Sequence, residues 1–223
     1  MSDVVDTSRV RVVLRPVGTP LPLGFLGLVV ATTGFAAVQL GWVPPDQGAV
    51  VALGVLVFTV PVQLLASVIG FLARDPVAGT GMGVLAGTWA AVCVTTVQAA
   101  PGAHSPGLGV LLLTSAAAML VPAVSASGKL VAAAVMALSA VRFAVTGIVQ
   151  LTGSAAWTQV AGWTGIALAV LALYAALGFE LEDVQHRTVL PLLRRGPGAA
   201  ALEGDAERQL DAVPHEAGVR LQL

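Results

Sequence analysis

Apolar residues run in long uncharged blocks, and short polar or charged breaks separate them. The first break ends at Thr19-Pro20-Leu21-Pro22, where two prolines close a polar stretch and a run with no charge begins. Proline lacks an N–H and fixes φ, so it suits the first turn of a helix, where donors lack intrahelical partners anyway. The run continues to Asp46 in the turn-like Pro44-Pro45-Asp46-Gln47-Gly48, and the next lasts to Arg74-Asp75-Pro76. No charge occurs from Pro76 to Gly128. About 20 residues cross a hydrocarbon core, so that block holds two spans, with Pro101–Gly107 as the turn between them. Lys129 marks the next break, and the chain then stays apolar to Phe179, apart from Arg142 and Thr152-Gly153-Ser154. The pattern predicts an all-α integral membrane protein with six helices, near 21–42, 47–72, 78–99, 107–124, 130–151 and 158–179.

Composition agrees: 57% of the 223 residues are hydrophobic and 10% are charged, against roughly 25% charged in a soluble domain. The net charge of −1 gives no basic field for nucleic acid. Cys93 is the single cysteine, so no intrachain disulfide can form. The first run is too long for the core of a cleaved signal and reads as a retained helix. Lysine and arginine fall in the N-terminal tail, at Arg74, at Lys129 and in the C-terminal tail, and are missing from the three alternate loops. By the positive-inside rule both termini are cytoplasmic, with the helices in the inner (plasma) membrane and the bilayer as partner. Trp42, Trp157 and Trp163 fall near the outer ends as interfacial anchors. The expected division is a tail at 1–18, a transmembrane unit at 19–192 and a flexible tail at 193–223, with a short helix possible near Ala201–Leu210.

Small residues recur three or four apart, as in Gly24, Gly27, Ala31 and Gly34, or Gly162, Gly165, Ala169, Ala172 and Ala176. Such stripes let helices approach closely in lipid, and packing is their ordinary role. Arg142 is the one charge inside a predicted span and shares a face with Ser139 and Thr146. Burying it costs about 2.5–3.5 kcal/mol on insertion scales, so it either attracts an anion in a conduction path or bonds backbone carbonyls or a subunit interface. No Asp or Glu lies in a span, which favours a channel over a proton carrier with a side-chain relay. Thr59, Gln63 and Ser67 fall four apart, as helix-to-helix glue or as solute contacts, and Gln63 is the leading solute candidate. Pro61 is expected to break that helix and free a carbonyl. Glu180, Glu182 and Asp183 read as a solvated helix end beside Arg187. No metal, cofactor or catalytic motif is present, so no cofactor and no enzymatic activity are expected.

Thr19-Pro20-Leu21-Pro22-Leu23-Gly24-Phe25-Leu26-Gly27-Leu28 resembles the N-P-A-P-L-G-L signature of the acetate uptake transporter family. Gln63 with Ala66, Trp89, Ala161-Gly162-Trp163-Thr164-Gly165, and Tyr174 followed by Arg187-Thr188-Val189-Leu190-Pro191 are similar to further anchors of that family, in order. The resemblance spans residues 19–192 and implies a homo-hexamer of six-helix protomers. Each protomer would pass acetate, succinate or another small mono- or dicarboxylate, channel-like or coupled to protons. It implies an apolar constriction at Leu28, Leu85 and Leu138 or Ser139, with Pro22, Gly24 and Gln63 on the same path. Arg142 and Thr146 join these candidates on their own chemistry. Thr19 stands where the family has Asn, and Met82-Gly83-Val84-Leu85-Ala86 stands for its aromatic F-x-S-Y-G, so a bulkier acid could pass. The rival expectation is a non-transporting scaffold or sensor that keeps the fold.

Overall fold

The computed structural model describes residues 17–196 and Ala199. The expectations for the N-terminal tail and for a helix near Ala201–Leu210 lie outside the described residues. Six helices follow in order: α1 Leu21–Gln39, α2 Gly48–Leu72, α3 Pro76–Gln98, α4 Pro106–Ser125, α5 Leu130–Thr152 and α6 Ala155–Gln185. All six are long and apolar enough to cross a membrane, and the chain is a multi-pass membrane protein.

Local chemistry sets the helix ends. Asp75 accepts from the Ala78 N–H at 3.1 Å and Ser105 from the Leu108 N–H at 3.3 Å, each followed by a proline at the first helical position. At the end of α5, Gly153 takes φ +63°, the left-handed cap that glycine adopts without a Cβ penalty. The first helix stops at Gln39, short of the predicted 42. Gly41 turns at φ +74° and the Trp42 N–H returns to the Ala37 carbonyl. The second helix runs unbroken through Pro61, so the expected break there is absent.

Each helix packs on its neighbours in sequence, and α6 closes on α1 to complete a ring. Burial alternates around it. At least half of the α1, α3 and α5 spans is buried, against 28%, 33% and 44% of α2, α4 and α6. The odd-numbered helices therefore line the axis, while the even-numbered ones turn apolar side chains such as Val57, Leu120 and Val170 outward. Small residues make the seams. Gly70 lies against the backbone of Gly79, and Gly109 against the carbonyl of Gly147. Hydroxyls and an amide then reach carbonyls on the facing helix: Thr59 to Gly27 at 2.9 Å, Gln63 to Gly24 at 3.3 Å, Ser67 to Gly79 at 2.6 Å and Thr32 to Gly165 at 3.1 Å. All four carbonyls belong to glycines, where no side chain shields the acceptor.

The last helix continues well past the predicted 179, through the acidic cluster. Glu182 is only 2% exposed. It is not the solvated residue its surroundings in the chain suggest, because Arg194 closes on both of its carboxylate oxygens and also covers the Phe179 ring. His186 then turns the chain at φ +53°. The segment after it folds back over the ring's charged end. Leu192 is fully buried against Gly178, the Tyr174 hydroxyl donates to the Pro191 carbonyl at 2.9 Å, and the Arg195 N–H reaches Gly128. Lys129 pairs there with Asp75.

Candidate functional site

At the opposite end of the ring, where Asp46 is the only charged residue among the described loops, a cavity of about 460 Å³ opens between the helices. Residues from every helix line it, and its polar groups are mainly amides and hydroxyls: Gln39, Thr95, Thr96, Thr146, Gln150, Thr158 and Gln159. His104 and Asp46 are its titratable members. Gln150 is spoken for, since its Oε1 accepts from the Ser105 N–H at 2.8 Å. The volume suits a small organic solute with its water.

Phe35 forms part of the cavity wall. Its ring stacks on Trp89 at 5.5 Å, and Trp89 meets Phe143 edge-on at 5.8 Å. Three aromatic rings from α1, α3 and α5 thus converge beside the cavity wall. Beyond them the axis is filled. Phe25, Leu28, Met82, Leu85 and Ser139 are all buried in one continuous core, with Leu138 partly buried against it. At the charged end a second, shallower cavity of about 390 Å³ lies among Thr19, Pro20, Arg74, Asp75, Lys129 and Asp183.

The candidate residues separate accordingly. Leu28, Leu85 and Ser139 lie in the filled middle, and the Ser139 hydroxyl is spent on the Val135 carbonyl at 2.8 Å. Pro22 and Gly24 are buried near the charged end, and Gly24 is in contact range of Met82. Gln63 is fully buried on the α1–α2 seam. Its amide N–H serves Gly24, and its Oε1 has no partner. Thr146 lines the larger cavity, while its hydroxyl donates to the Arg142 carbonyl at 2.8 Å. Arg142 turns the other way. Its guanidinium lies beside Gly165, donates to the Ala161 carbonyl of α6 and leaves Nε without a partner. It does not line the cavity. Its charge is held on the α5–α6 seam.

The aromatic group was not legible as a group from the chain. Phe35 and Phe143 carried no mark, and Trp89 entered only as a family anchor. Only the ring closure brings the three together.

With that geometry in hand, a search of the solved structures finds the bacterial acetate channel SatP, with a TM-score of 0.69 and 24% sequence identity, covering 79% of this chain and 99% of that chain. The chain has the SatP fold. The six-helix fold implied by the opening signature is therefore the fold observed. The near-complete coverage of SatP places the whole ring, rather than a fragment, within the likeness. No protein-family model matches the sequence, and a search of the curated proteins finds no match.

Proposed function

We propose that this chain is a member of the acetate uptake transporter family and that it conducts a small carboxylate, acetate or a near relative, along the axis of its six-helix ring. The observation that carries the reading is the cavity of about 460 Å³, bordered by Phe35 of the Phe35–Trp89–Phe143 group, inside a SatP-like ring. The lining supports it. A vestibule of amides and hydroxyls strips and reorients a small solute without trapping it, and the buried positive charge of Arg142 biases the interior toward anions. Arginine stays charged, and the acidic residues of the described helices stand apart from it, at the end of α6, where Glu182 is taken by Arg194.

The filled middle at Leu28 and Leu85 is the closed form of that path. Passage needs these side chains to move, and the solute crosses a dry constriction rather than an open pore. Arg74, Lys129, Arg187, Arg194 and Arg195 gather at one end, which faces the cytoplasm of the plasma (inner) membrane on the positive-inside rule. The outward apolar faces of the even-numbered helices supply the lipid contacts and, in a homo-hexamer, the contacts between protomers.

The test is uptake of labelled acetate and succinate into proteoliposomes holding the purified protein. Acetate flux well above that of empty liposomes is expected. Flux no greater than empty liposomes for both acids would overturn the reading and leave the filled middle as that of a non-transporting scaffold.

A further inference from the structure

Among the described residues, four buried side-chain polar atoms lack any partner: Gln39 Oε1, Gln63 Oε1, Trp89 Nε1 and Arg142 Nε. Two of these are donors. Arg142 already spends part of its guanidinium on Ala161. Trp89 has one N–H and nothing else to offer, because an indole is a donor only. The ring carrying it is 3% exposed, and a buried donor left unmet is costly. A phenylalanine in that place would fill the stack without the cost.

The surroundings point to what would meet this donor. Phe35, which borders the vestibule, lies flat against the indole, and Phe143 stands edge-on to it. A ligand there finds apolar ring surface and one N–H. That set suits a small solute with an anionic oxygen at one end and a short hydrocarbon at the other.

We propose that the Trp89 indole N–H, one ring behind the Phe35 wall of the vestibule, is a carboxylate-binding and selecting group that donates to one oxygen of a solute entering past Phe35, while Phe35 and Phe143 hold its hydrocarbon end. The inference rests on the carboxylate reading above, and it adds the contact that tells a carboxylate from a neutral or cationic solute. A hydrogen bond to a charged acceptor is strong in a dry setting, so its removal is expected to raise the half-saturation for acetate by about tenfold to a hundredfold.

Two substitutions and one direct observation test it. Trp89→Phe removes the N–H and part of the ring. Incorporating 3-benzothienylalanine at position 89 replaces the N–H with sulfur and keeps the two-ring shape, so it answers if the phenylalanine variant assembles poorly. The direct observation follows ¹⁵N-indole resonances of the full-length protein in nanodiscs during titration with sodium acetate, the Trp89 signal being the one absent from the variants. The expected result is a saturable shift of that signal, with Trp42, Trp157 and Trp163 unmoved, and a tenfold or greater rise in half-saturation for acetate flux in the benzothienyl variant. A Trp89 signal that stays still through the titration, or a benzothienyl variant with wild-type acetate half-saturation, would overturn the proposal. If the signal shifts but the wild-type protein carries no flux, the donor site stands and the transport reading fails.

Discussion

Arg142 shows how far one residue's role depends on direction as well as depth. Ser139, Arg142 and Thr146 fall on one helical stripe, yet a stripe of that spacing is broad enough to serve two neighbours. Thr146 borders the vestibule, and Arg142 reaches α6. The chain alone could place Arg142 mid-span but not choose between these sides, because the choice is made by Gly165, whose missing Cβ leaves room for the guanidinium. The consequence is a charge that acts on the path through space, without contact. A solute anion about 10 Å from a guanidinium gains roughly 1.7 kcal/mol at an effective dielectric of about 20. Arg142→Leu is therefore expected to lower acetate flux by more than tenfold. Replacing a buried charge with an apolar group of similar size is often neutral or stabilising, so the melting temperature in detergent should hold or rise. Wild-type flux in this variant would leave Arg142 a purely structural role.

At the scale of helices, the seams explain why small residues sit where they do, and they make a sharp comparison possible. A Cβ on Gly24 would lie 2.3 Å from Met82 Sδ, and a Cβ on Gly70 would lie 2.5 Å from the backbone nitrogen of Gly79. The first contact is nominally the worse. Methionine is flexible and can swing aside, whereas the α3 backbone cannot move without opening the α2–α3 seam. Gly70→Ala should thus cost more than the roughly 1–3 kcal/mol typical of overpacking, and Gly24→Ala less. Thermal unfolding in detergent checks the order, and equal losses would show that the seam yields as easily as a side chain. Helix positions were largely legible in the chain, since prolines, charges and glycine turns bound the spans. The sixth helix was not. Glu182 reads as solvated because its partner Arg194 lies beyond a turn that no local pattern announces, and only the fold-back of residues 186–195 makes burial of that carboxylate tolerable.

The whole molecule is a ring with a vestibule at each end and a plug between them, and the plug is where the proposed activity and the stability of the fold oppose each other. Leu85 is fully buried at the centre of α3, in the same core as Leu28 and Met82. It stands where the resembling family carries a tyrosine, so the plug here is aliphatic and compressible at one of its three sides. Truncating it removes packing that the closed ring depends on, and a buried Leu→Ala change costs about 2–5 kcal/mol. The same truncation opens space in the filled core between the cavities of about 460 and 390 Å³. Leu85→Ala should therefore melt at a lower temperature and yet carry more solute per protomer, with succinate gaining more than acetate because the longer acid is the one the plug holds back. A general loss of integrity would lower flux along with stability, so opposite signs in the two measurements distinguish gating from damage. Paired melting curves and uptake of both acids in one reconstituted preparation provide the check. A variant that loses stability and gains no flux for either acid would move the barrier elsewhere on the axis, to the rings of Phe35, Trp89 and Phe143.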